Sequence, residues 1–246
     1  MLRPAPLIFL TRLQPAGQYT LLLLGLGLYG LSLRLMLNAG VGVAPWDVFH
    51  VGVTHWLPLT VGQVSIASGM LLVLYTSLSL RERFGPGTLL NVVLIGLVMD
   101  LLGGVVPQPQ QPLAQWTQFL LGVLLIGLAT GAYVGAGLGA GPRDSLMLGL
   151  HRQRGWSVAH IRTGVELVVL AAGVLLGGPL GWGTLVYALG IGPSVSFGLG
   201  LFGLKGKRRP LPNRKRLSSS ARGHSHSMVA GGLPVMSYTT RLISCT

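Results

Sequence analysis

Acidic side chains are nearly absent from this chain: five Asp and Glu in 246 residues. So few carboxylates leave little material for paired acid/base catalysis. Cysteine occurs once, as Cys245, which excludes both a disulfide framework and a thiolate metal site. The chain also has no Gly-x-x-x-x-Gly-Lys-Ser/Thr phosphate loop, no His-Glu-x-x-His and no Gly-x-Ser-x-Gly elbow. We therefore expect no enzyme, no resident cofactor and no metal. Charge of either sign is scarce too, at 9% of residues, against about 25% in a soluble domain. Half of the chain is hydrophobic and its mean hydropathy is +0.63. This is the composition of a membrane protein, with the lipid bilayer as its main partner.

The charge that is present is basic, 18 Lys and Arg, a balance that by itself suggests nucleic acid. Position removes that reading, because nine of the 18 fall after residue 204. Residues 205–246, with Pro210, Pro212, a Ser218 to Ser220 run and a Gly-Ser-His stretch, have too little apolar surface to pack, and a disordered cytoplasmic tail is expected. Its basic cluster suits anionic lipid head groups, at about 1 kcal/mol per residue near the surface. At the other end, Pro4, Pro6 and Pro15 interrupt the apolar stretch, so residues 1–18 read as a short cytoplasmic arm and no cleaved signal peptide.

Between these ends lie six apolar stretches: Tyr19 to Leu37, Val61 to Leu80, Thr88 to Val106, Trp116 to Gly137, Val158 to Gly178 and Thr184 to Leu204. Each approaches the ~20 residues that a helix needs to cross a bilayer. With six spans and the N-terminus inside, Arg81, Arg83, Arg143, Arg152, Arg154 and the Lys205 to Arg216 cluster share the cytoplasmic side, whereas the opposite loops hold no Lys or Arg. The positive-inside rule then places both termini in the cytoplasm.

One phrase occurs twice. Gly-Val-Gly-Val-Ala-Pro-Trp-Asp from Gly40 to Asp47 matches Gly-Leu-Gly-Ala-Gly-Pro-Arg-Asp from Gly137 to Asp144 at an offset of 97, and Gly87-Thr88-Leu89 matches Gly183-Thr184-Leu185 at an offset of 96. Three spans per copy is an odd number, so the copies enter the membrane from opposite faces. The expected fold is all-α: a polytopic bundle of about six spans in two inverted three-span repeats, 19–106 and 116–204, joined by an external loop at 107–115. Each repeat carries a short helix started by Gly and Pro. Inverted repeats of this kind recur in secondary transporters, with sites near the midplane.

In each phrase Pro45 or Pro142 suits the first turn of a helix, Gly42 or Gly139 permits a sharp approach, and Asp47 or Asp144 can cap the helix start. The alternative reading puts these residues, with Arg143, on a substrate or ion path, since an intramembrane carboxylate is a functional hypothesis by default. Four further charges invite pairing: Arg34 with Asp100 at similar depth, and Arg162 with Glu166 one helical turn apart. Gly127, Gly131, Gly135 and Gly139, at intervals of four, form a small-residue stripe for helix packing. His50, His55, His151, His160, Gln63 and Asn91 are polar residues in or near the repeats, read mainly as anchors.

These motifs resemble the YczE/YyaS/YitT group of bacterial integral membrane proteins, most of all its YczE branch, on Gly40 to Asp47, Thr60-Val61-Gly62-Gln63 and Gly137 to Asp144. The resemblance covers roughly residues 18 to 204. It implies a multi-span protein of the bacterial cytoplasmic membrane and leaves the basic tail unexplained. The function expected is a secondary transporter or permease for a small molecule or ion; the alternative is a non-transporting membrane factor that assists another system.

Overall fold

A computed structural model describes residues 15–82, 84–139 and 141–204. The basic tail and the first fourteen residues of the arm lie outside that set. Among the described residues the regular structure is helical: α1 Pro15–Ala39, α2 Pro45–Thr54, α3 Val61–Leu80, α4 Pro86–Leu101, α5 Pro112–Gly135, α6 Pro142–Arg154, α7 Val158–Leu175 and α8 Trp182–Leu201. Five of them (α1, α2, α4, α5 and α6) begin on a proline, whose missing N–H is one that a first turn leaves unpaired anyway.

Five helices, α1, α3, α5, α7 and α8, are long and apolar enough to cross a membrane. The stretch expected to span from Thr88 to Val106 behaves differently. Its helix α4 stops at Leu101 after 16 residues, about 24 Å at 1.5 Å per residue. The chain then turns, and α1 receives the exposed carbonyls: Arg34 Nη2 donates to Gly103 O at 3.1 Å and Asn38 Nδ2 to Val106 O at 2.7 Å. Satisfying those groups from a neighbouring helix is what allows an early stop in an apolar setting.

The packed centre joins the two halves. α1 lies along α5, α2 against α7, and α3 against both α4 and α6. Leu22, Leu26 and Met36 of α1 meet Met99 of α4 and Phe119 and Ile126 of α5 in the core. Facing outward are Leu24, Leu71, Leu124, Leu175 and Leu189, all exposed. Helices apolar on their outer faces as well as their inner ones belong in lipid. The chain is a multi-pass helical membrane protein.

Glycines set how closely the helices approach. A Cβ on Gly127 would lie 2.2 Å from Ser194 O, and one on Gly131 2.6 Å from Gly198 O, so both press α5 onto α8. The expected four-glycine stripe is shorter than its spacing suggests. Gly135 is the last residue of α5, and Gly139 lies beyond the helix in the following loop, at φ 138°.

Candidate functional site

The two copies of the repeated phrase form matching loops. Gly40 and Gly137 take φ of 72° and 68°, and Gly42 and Gly139 take 134° and 138°, conformations that L side chains rarely adopt. Each loop docks onto the Gly-Thr pair of the other half. Gly183 N donates to Val41 O at 2.8 Å, and Gly87 N donates to Leu138 O at 3.1 Å. A Cβ on Gly42 would sit 2.6 Å from Thr184 N, and one on Gly139 2.9 Å from Thr88 Oγ1. The correspondence between Gly87-Thr88 and Gly183-Thr184, visible in the sequence, thus marks the two receiving surfaces.

This docking brings the starts of α2 and α6 together. The Arg143 guanidinium lies over the Trp46 ring, with its carbon 4.6 Å from the centroid. Trp46 is only 7% exposed, beneath Arg143. Of three nearby tyrosines, Tyr133 and Tyr187 belong to the packed core and Tyr29 packs against it. Tyr29 and Tyr133 meet edge to face at 6.1 Å. Arg143, Asp144, Asp47 and Arg162 all lie within electrostatic reach of the Tyr29 hydroxyl.

The two aspartates do not cap their helices. The N-cap positions are Ala44 and Gly141, and neither makes a side-chain cap bond. Asp144 Oδ2 instead accepts from the Tyr133 hydroxyl at 3.2 Å. Burial raises the Asp144 carboxyl above its usual range, against the opposing pull of Arg162, the Tyr133 bond and Arg143. Asp47 is 2% exposed and bonds through Oδ1 to His50 Nδ1 at 3.1 Å. His50 is wholly buried, and its Nε2 meets Ser68 Oγ of α3 at 3.0 Å. Burial lowers the His50 pKa, and the bond to Asp47 partly offsets that. Among the described residues no three metal-ligating side chains converge.

The remaining charges divide. Arg162 Nε and Glu166 Oε1 pair at 3.0 Å, as their spacing suggests. Arg34 and Asp100 do not pair. Arg34 donates to Gly103 O, while Asp100 accepts from Thr60 Oγ1 and, at 3.0 Å, from Gly62 N. A carboxylate at the free N–H groups of a helix start is favoured there over a partner that must be reached across a turn. Glu166 lines a cleft of 770 Å³ between α7 and α8, together with Thr163, Trp182, Thr184 and Leu185. Pro45, the first residue of α2, also lines this cleft, so it reaches the helix start beside the Trp46 and Arg143 contact.

Sequence reasoning missed Ser68 and the tyrosines. Asp47-x-x-His50 carried a signal, since residues three apart share a helix face. Ser68 carried none, because only the packing of α2 on α3 brings it near.

Residues 16–199 match a family model described as a family of unknown function, DUF6198. The chain belongs to this family. Among its relatives, an uncharacterized membrane protein, YczE, of Bacillus subtilis (strain 168) is 44% identical over 171 residues, 70% of this chain and 79% of the relative. An uncharacterized protein of Haemophilus influenzae is 33% identical over 74% of this chain and 83% of its own length. YyaS of Bacillus subtilis is 26% identical over 66% of this chain and 83% of its own. The family match spans α1 to most of α8, and so includes both copies of the phrase. No solved structure matches the chain.

Proposed function

We propose that this protein is a secondary transporter of the bacterial cytoplasmic membrane, with both termini in the cytoplasm, working by alternating access between two inverted three-span repeats. The observation that carries this reading is the meeting of two short helices at one point inside the bundle, each bringing a carboxylate, Asp47 or Asp144, to its first turn. Half-helices that begin within a membrane bundle are where such carriers hold their cargo. The crossed docking of the two glycine loops adds support, because equivalent surfaces exchanged between halves form a hinge with two related settings.

The two equivalent helix pairs also differ in the way alternating access requires. α3 and α4 are closed tightly: a Cβ on Gly62 would lie 2.1 Å from Gly96 O. α7 and α8, their counterparts, stand apart around the 770 Å³ cleft. On this reading α3/α4 is the shut side, α7/α8 the open side, and Glu166 the first charge that a solute meets on its way to Asp47 and Asp144.

The test is solute flux into liposomes that contain the full-length protein and an entrapped pH dye, with inorganic anions, carboxylates, amino acids and amines offered in turn. A solute class that drives a protein-dependent signal is expected, with the signal lost in Asp47→Asn and in Asp144→Asn although both variants insert normally. Undiminished flux in the double variant would overturn the mechanism. The absence of flux with every class would favour a non-transporting role.

A further inference from the structure

The hydrogen bonds around His50 cannot all be made by a neutral imidazole beside an ionised Asp47. Three contacts form a chain: Asp47 Oδ1 to His50 Nδ1 at 3.1 Å, His50 Nε2 to Ser68 Oγ at 3.0 Å, and Ser68 Oγ to Ser65 O at 3.0 Å. A serine hydroxyl has a single hydrogen. When it points at His50, Nε2 is the bare acceptor, Nδ1–H donates to Asp47, and the imidazole is neutral. When it points at Ser65 O, Nε2 must itself carry a hydrogen and donate to Oγ. Nδ1–H still faces the carboxylate, so the ring and Asp47 together hold one more proton. The first leaves only the Ser68 to Ser65 contact unmade, the second makes all three, and gain of one proton with rotation of one hydroxyl converts the first into the second.

We propose that Asp47, His50 and Ser68 form a proton-binding site that takes up one proton, shared between His50 and Asp47, without movement of heavy atoms. Buried chains of this composition are how membrane proteins hold and pass protons. His50 is sealed from solvent, so the proton passes through its two hydrogen-bonded neighbours. Among the charges around it, Asp47 favours the protonated form and Arg143, from α6, opposes it. α3 contributes no charged side chain to this face. On α7, Arg162 and Glu166 neutralise each other, and His160 is exposed and bonded to Ser157.

The second copy of the phrase cannot do the same, because Met147 stands at the position equivalent to His50, 97 residues on. One site per chain therefore results, on the α2 side only. The Ser–His–Asp order also occurs where a serine is activated as a nucleophile. Here Ser68 lies in the interior of α3, where the surrounding N–H groups are committed to helix bonds. That leaves no oxyanion hole, so the chain moves a proton and not an acyl group.

Use of this proton to drive uphill movement rests on the transporter reading; its binding does not. The test is therefore made in detergent without any solute, on full-length protein with ¹⁵N-labelled histidine, following the ring nitrogen shifts between about pH 4 and 9. His50 is assigned among the six histidines by its loss in His50→Gln, or, if that variant does not fold, by elimination through substitution of the other five. One protonation step at His50 is expected. Its midpoint should fall by about one unit or more in Asp47→Asn, where the charged ring loses its partner. It should also move in Ser68→Ala and return in Ser68→Thr, which keeps the hydroxyl. A His50 signal that does not titrate in folded protein, or a midpoint indifferent to both substitutions, would overturn the proposal. Titration without solute flux would leave the site standing and remove the transport reading.

Discussion

Arg143 rests on Trp46 at 4.6 Å, and the two residues hold the same position in the two copies of one phrase. A repeated motif has therefore diverged into two halves of a single contact: a cation on one side and an aromatic face on the other. The contact joins the first turns of α2 and α6, so whatever separates those helices must also break it.

The strength of that contact is measurable by a double-mutant cycle. A desolvated cation–π pair is worth about 0.5 to 2 kcal/mol. Trp46→Leu and Arg143→Gln should each destabilise the protein in detergent denaturation, with a coupling energy in that range, and Arg143→Lys should keep part of it. Strict additivity would mean that the stacking carries no energy.

The loop glycines should separate into two classes. At Gly40 and Gly137 a side chain meets open space, so alanine costs only the strain of a left-handed conformation, about 1 to 3 kcal/mol. At Gly42 and Gly139 the added Cβ also strikes the opposite half, at 2.6 and 2.9 Å. Gly42→Ala and Gly139→Ala should therefore reduce folded yield well below Gly40→Ala and Gly137→Ala, as read by gel-filtration recovery. Equal losses at all four positions would show that the cross-docking is not tight.

Asp100 should matter more than its former candidate partner. It receives the Thr60 hydroxyl and the Gly62 N–H at the start of α3, and hydrogen bonds to a charged group contribute about 1.5 to 3 kcal/mol. Asp100→Ala should lower thermal stability clearly, whereas Arg34→Met, which removes one bond to Gly103 O, should lower it less. The reverse order would restore the Arg34 and Asp100 pairing as the structural element.

The inverted arrangement we propose has a direct check by labelling. In a background with Cys245→Ser, an impermeant thiol reagent applied to intact cells should modify His55→Cys, after the end of α2, and leave Arg154→Cys, at the end of α6, unmodified. In inverted membrane vesicles the pattern should reverse. Modification of both from one side would end the inverted-repeat reading.

The membrane character of this chain could be read from composition, since nothing but lipid accommodates so many apolar side chains and so little charge. Two helix starts were legible for a local reason: proline in a first turn announces itself, as at Pro45 and Pro142. The Arg162 and Glu166 pair was legible because four residues make about one turn, and geometry within a helix follows from spacing alone.

What spacing could not decide was everything made between helices. By itself the sequence determined the apolar stretches, the two phrases and the glycines that must bend. Tertiary structure decided that each phrase docks on the opposite half, that α4 ends early under Arg34 and Asn38, and that Asp47 serves His50 and Asp144 serves Tyr133 instead of capping their own helices. The reason is physical. A helix sets its own periodicity through bonds four residues apart, but an aspartate's partner is whichever donor packing brings within 3 Å or so, and here those donors come from choices that no local pattern encodes.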